Sequence, residues 1–107
     1  MPDAPLSFIK ECVRAGRVRW THHVAMRFGQ RAVTAGMLGD AVATLEIIEE
    51  YPRDKYLPSF LVRGKSGGVV FHAHIATDIE GENIRIVTMY VPDAHVWDNG
   101  LRLRRIK

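Results

Sequence analysis

Phe8, Ile9, Cys12 and Val13 recur at helical spacing across residues 5–15, and Gly16 follows as a stop. Val18 and Trp20 alternate with Arg17 and Arg19, the pattern of a short extended piece. Thr21 is a good N-cap for a second helix through about Gln30. Thr34 caps a third helical stripe made of Met37, Leu38, Ala41, Val42 and Leu45, which Gly36 and Gly39 weaken. From Glu46 the period shortens. Glu46 to Tyr51 reads as a strand closed by Pro52, and Leu57 to Arg63 as another, with Pro58 near its start where a missing N–H is tolerated. Residues 64–68 form a glycine-rich hairpin loop. Val69 to Thr77 alternates most clearly, with Val69, Phe71, Ala73 and Ile75 on one face and Val70, His72, His74 and Ala76 on the other. A polar turn over 78–83 leads to a last strand, Ile84 to Val91, closed by Pro92. Helices followed by a strand meander predict an α+β domain. Its N-terminal helices would pack on one face of an antiparallel sheet of about four strands, leaving a basic surface on the other.

The chain has 107 residues, enough for one domain spanning 1–107. Its 47% hydrophobic and 25% charged residues match an ordinary globular protein. Cys12 is the only cysteine, which excludes an internal disulfide and a cysteine-based zinc cluster. With no long apolar run and no basic-then-apolar start, neither a membrane span nor a signal peptide is expected, and the cytoplasm is the expected compartment. The net charge of +3 is unevenly spread: residues 1–35 and 63–107 are basic, and residues 36–62 are acidic. Basic ends suit a polyanion such as RNA, although a solvated surface with slight excess charge gives the same composition.

Several side chains can carry chemistry. His23, Arg27 and Arg31 recur at spacing four and drift by only ~40° per step, so they form one helical stripe. The planar donor fork of arginine fits phosphate oxygens. A solvated basic face would look the same. His72 and His74 share a strand face. They could hold a metal if His22, His23 or Asp78 supplied a third ligand, or move protons near neutral pH. Equally, one could be a buried hydrogen-bonded histidine and the other exposed. Tyr90 shares its face with Thr88 and could donate to phosphate, stack on a base, or simply pack. Tyr51 reads the same way, and Trp97 reads as a cap on the core. Arg63 and Lys65 are placed at the hairpin tip, where they could touch a phosphate backbone. No P-loop, dinucleotide glycine motif or Ser–His–Asp motif is present, and no carboxylate pair with a lysine points to a metal-dependent nuclease.

Taken in order, Thr21 with His23-x3-Arg27-x3-Arg31, Ile47-Ile48-Glu49-Glu50-Tyr51-Pro52, Phe71-His72-x-His74, the run Ile86 to Asp93, and Trp97 form one pattern. It resembles the domain-of-unknown-function family numbered 4258 over about residues 17–105. That family is loosely grouped with RelE/ParE-type and MqsR-type toxins of bacterial toxin–antitoxin pairs. The resemblance implies a RelE-like fold and a metal-independent endoribonuclease, of the mRNA interferase type, that uses the 2′-hydroxyl of RNA. In that reading His72 takes the 2′-hydroxyl proton, and His23 or Tyr90 protonates the leaving 5′-oxygen. Arg27 and Arg31 stabilise charge on the phosphorane. Arg31, Arg63 and Lys65 hold RNA, and no cofactor is expected. The implied partners are RNA and a cognate antitoxin, a zinc-finger protein of the MqsA-like kind. His22 and His74 look particular to this chain, and Ala32 stands where the pattern often has glycine. The lysine and glutamine arrangement of MqsR-type toxins is not recognisable, so that catalytic set does not carry over. The alternative is a non-catalytic module binding protein or nucleic acid, with His23, Arg27 and His72 as a structural hydrogen-bond cluster.

Overall fold

The computed structural model of the chain describes residues 5–21, 35–93, 97–98 and 100–104. The second helix expected over 21–30, with His22, His23, Arg27 and Arg31, lies outside the described residues after Thr21. Helix α1 (Pro5–Ala15) ends as its sequence requires. Gly16 takes a left-handed φ of 76°. The amides of Gly16 and Arg17 turn back to the carbonyls of Val13 and Cys12 at 3.2 and 2.9 Å, which satisfies the last turn. Strand β1 (Val18–Trp20) follows. The stripe expected over 34–45 divides into a six-residue helix α2 (Ala35–Asp40) and a 3-10 turn (Val42–Thr44). Leu38, Ala41 and Leu45 nevertheless all reach the core.

Four longer strands come next: β2 (Glu46–Tyr51), β3 (Ser59–Ser66), β4 (Val69–Asp78) and β5 (Asn83–Tyr90). A two-residue turn at Gly67–Gly68, both at positive φ, joins β3 to β4. The sheet has five strands in the order β1-β5-β4-β3-β2. It is mixed rather than antiparallel throughout, because β1 pairs parallel with β5. Three alternating residues carry no information about direction or partner, so this pairing could not be read from Val18 to Trp20 alone. A second, two-stranded ribbon is formed by β6 (Trp97–Asp98) and β7 (Leu103–Arg104). Among the described residues no helix is long and apolar enough to cross a membrane.

The two faces of the sheet differ sharply. Phe60, Val62, Phe71, Ala73, Ile75, Ile84, Ile86 and Met89 form one buried cluster with Ile9 and Cys12 of α1, Leu38 of α2, and Ala41 and Leu45. Gly64 permits this packing: a Cβ there would lie 2.6 Å from Phe71 Cζ and 2.9 Å from Leu45 Cδ2. By alternation the opposite face carries mostly polar side chains in register rows. Arg63 of β3, His72 of β4 and Tyr90 of β5 form one row, and Leu61, His74 and Thr88 form the next.

Candidate functional site

His72 sits on this polar face yet is 0% exposed. The cover is the chain after β5. His72 Nε2 lies 2.7 Å from the carbonyl oxygen of Leu101, and Nδ1 lies 3.2 Å from the Tyr90 hydroxyl. A carbonyl can only accept, so Nε2 carries the proton and Nδ1 accepts from Tyr90. The Trp97 ring stands edge-on to the imidazole, with centroids 4.4 Å apart at 84°. Two further contacts tie the same segment down. Arg63 Nε donates to the Gly100 carbonyl at 2.8 Å, and Arg102 pairs with Glu46. Gly100 and Leu101 both have φ of 69°, a left-handed conformation that a leucine keeps only when its neighbours hold it there. His72 is thus the centre of a staple between the sheet and the ribbon.

One row away the face is open. A groove of 630 Å³ is lined by residues including Tyr51, Asp54, Leu61, His74, Thr88 and Tyr90. Its floor is the sheet, and its end wall is the turn after β2, which brings Asp54 back over β3. His74 Nε2 lies 2.8 Å from Ser59 Oγ, and Ser59 Oγ lies 2.6 Å from Asp54 Oδ2. The carboxylate accepts, so Ser59 donates to Asp54 and receives the Nε2 proton of His74. That leaves the lone pair of a neutral imidazole on Nδ1. Among the described residues the one buried side-chain oxygen or nitrogen lacking a partner is Asn83 Oδ1. The unpartnered Nδ1 of His74 is therefore reachable from solvent.

The electrostatics keep His74 neutral. Burial pushes its pKa below the ordinary 6.5, while the carboxylates of Asp54 and Glu49 pull it partly back. Asp54 is held below its ordinary value by the Ser59 hydroxyl and then by the Lys55 amide. Tyr51 stands edge-on to His74, with centroids 5.7 Å apart, and its hydroxyl bonds to Glu49. A neutral imidazole anchored through one nitrogen, with the other facing a groove, is the arrangement of a general base.

The residues singled out by sequence fare differently. His72 and Tyr90 are brought together, their ring centroids 5.3 Å apart. Arg63 is not at the hairpin tip: β3 runs on to Ser66, and Arg63 faces His72 within the sheet. Lys65 is exposed near the end of β3. Trp97 packs on His72 rather than on the apolar core. Asp78 is bound by the Gly81 amide, Asn83 and Arg85 at the far end of β4. Among the described residues no group of three or more His, Cys, Asp or Glu could hold a metal ion. Ser59 and Asp54 were missed. No spacing in the sequence links them to His74, because a turn and a cross-strand register make that contact.

Fold and face together define an α+β domain whose polar chemistry is gathered on one side of a mixed sheet. The chain belongs to the DUF4258 family, a domain of unknown function, whose model matches residues 20–91. The matched span holds Asp54, Ser59, His74 and Tyr90 and stops short of the ribbon at 97–104. No curated protein and no solved structure matches the chain.

Proposed function

We propose that this domain is a RelE-like, metal-independent endoribonuclease of the toxin type, and that His74 rather than His72 is its base. The observation that carries the reading is the solvent-facing Nδ1 of a neutral His74 whose Nε2–H is anchored through Ser59 to Asp54. In the reaction, Nδ1 takes the proton of an RNA 2′-hydroxyl. That oxygen then bonds to the adjacent phosphorus as the bond from phosphorus to the 5′-oxygen breaks. The leaving 5′-oxygen takes a proton, and the products are a 2′,3′-cyclic phosphate and a 5′-hydroxyl end. Tyr90, whose ring lines the same groove, supplies that proton once its hydroxyl turns from His72 Nδ1 toward the leaving oxygen. A positioned base or acid contributes roughly 10²–10⁴-fold. RNA is the substrate, and a cognate antitoxin with an MqsA-like zinc finger is the protein partner this reading implies.

The experiment is induction in a bacterial host with mapping of new RNA 5′ ends, beside His74→Ala and His72→Phe at matched levels of folded protein. New 5′-hydroxyl ends with wild type and with His72→Phe, lost with His74→Ala, support the reading. No new ends from folded wild type sink it. A second reading is a binding module, and one observation favours it: both nitrogens of His72 are already bonded within the fold.

A further inference from the structure

A nuclease groove needs cations for the phosphates on either side of the cut, and the His74 groove is short of them. Among the described residues Arg53 is the one cation that lines it, and Glu49 and Asp54 act on His74 from its edges. Positive charge appears farther along the same face. Arg85 of β5 is in register with Ala76 of β4, and Arg19 of β1 is in register with Arg85. Ile84 and Ile86 are fully buried in the core, and Val18 and Trp20 pack against it. Alternation therefore turns Arg85 and Arg19 to the side that carries His74. Adjacent strands lie ~4.8 Å apart, so the two arginines stand one and two strand spacings beyond β4.

Like charges directly opposite on neighbouring strands destabilise a sheet. Arg85 is half exposed and shares its charge with Asp78 at 3.3 Å. The Arg19 side chain is exposed and has no hydrogen bond or ion pair among the described residues. The two line one shallow depression with Trp20 and Thr21. Among the described residues nothing in the packing asks for a cation at position 19. An anion between the two guanidinium groups would turn their repulsion into charge-assisted hydrogen bonds.

We infer that Arg19 and Arg85 form a phosphodiester site that carries the backbone of single-stranded RNA away from the His74 groove. The inference rests on the nuclease reading for the identity of the polyanion. RNA is favoured over an acidic peptide because the cations continue a face whose groove offers the Tyr51 and Tyr90 rings for base stacking.

The test uses the full chain and a fluorescent single-stranded RNA, 2′-O-methylated throughout so that it cannot be cut, with binding read by anisotropy against salt. Arg19→Ala and Arg85→Ala should each weaken binding roughly tenfold at low salt. Each should also make the log–log salt slope shallower by about 0.7. Arg19→Glu is the control for folding. It replaces a like-charge pair with an opposite pair, so it should melt no lower than wild type and still lose binding. Unchanged affinity and slope in both alanine variants overturn the inference. So does equally tight binding of a polyglutamate peptide of matched charge, or no binding of RNA by folded wild type. Arginine-dependent binding by a chain that cuts nothing keeps the site and removes the nuclease. Full cleavage by Arg19→Glu does the reverse.

Discussion

Replacing His72 by phenylalanine keeps a ring of similar size and removes both hydrogen bonds. The Leu101 carbonyl loses the donor at 2.7 Å, and the Tyr90 hydroxyl loses the acceptor at 3.2 Å. A buried polar group stripped of its partner costs ~1–3 kcal/mol. Opening of the ribbon would let the carbonyl hydrate, and would relax the left-handed Leu101, returning about 1 kcal/mol. Opening would also expose Trp97, now 3% exposed, so the release is itself costly. The net expectation is a loss of about 2–4 kcal/mol, a large share of the ~5–15 kcal/mol typical of a domain. Urea unfolding followed by circular dichroism measures it. Trp20 and Trp97 are the only tryptophans. In a Trp20→Phe background the emission therefore reports on the ribbon, and His72→Phe should shift it to the red. A change below about 0.5 kcal/mol with unchanged emission would refute the staple, since surface substitutions already span that range.

Three further outcomes follow from the same geometry. Gly64→Ala drives a Cβ to 2.6 Å from Phe71 and should cost about 1–3 kcal/mol, seen as a lower urea midpoint at unchanged slope; an unchanged midpoint would remove the close-approach argument. Ser59→Ala should let the Asp54 carboxyl titrate upward toward its ordinary value, as followed by carboxyl carbon NMR, because the Ser59 hydroxyl is the main cause of its depression. The His74 ring should titrate below 6.5 by proton NMR, because burial dominates its surroundings. The unfolded chain then binds more protons in that range. The His74 contribution to stability is complete above 6.5 and is lost as pH falls through the depressed folded value, a loss that His74→Gln should flatten.

Much of the strand half was legible in the sequence. Glu46 to Tyr51 is a strand with those same ends, and the alternation of Phe71, Ala73 and Ile75 against His72 and His74 placed two histidines on one face. Strong period-two patterns bounded by Pro52 and by Gly67–Gly68 leave few other foldings. The failures have a common physical origin in contacts that join distant parts of the chain. The parallel β1–β5 pair links residues more than sixty apart, and three residues cannot specify it. The α2 stripe shows the right burial at the wrong length. Its apolar spacing survives a change from α-helix to 3-10 turn, so periodicity does not register the break at Asp40. Arg63 was placed one turn too far out, because β3 continues through Gly64, a residue that otherwise reads as loop.

His72 and His74 make the same point about function. They share a residue type, a strand and a face, and the sequence offers no reason to separate them. What separates them is the ribbon of Trp97–Asp98 and Leu103–Arg104: among the described residues, its Trp97 ring and the Leu101 carbonyl meet His72 and not His74. Tyr90 belongs to both sides of that border: its hydroxyl is held by His72, and its ring lines the groove beside His74. Loss of cleavage in His72→Ala would therefore not make His72 a base, because truncation would release both the ribbon and Tyr90. The informative comparison sets His72→Phe against His74→Ala. The first keeps a ring beneath Tyr90 and removes no groove-lining side chain, freeing only the Tyr90 hydroxyl and the ribbon; the second leaves the staple intact and removes the one imidazole nitrogen that, among the described residues, faces the groove. A nuclease built as proposed keeps its cleavage products in the first variant once folded protein is matched, and loses them in the second.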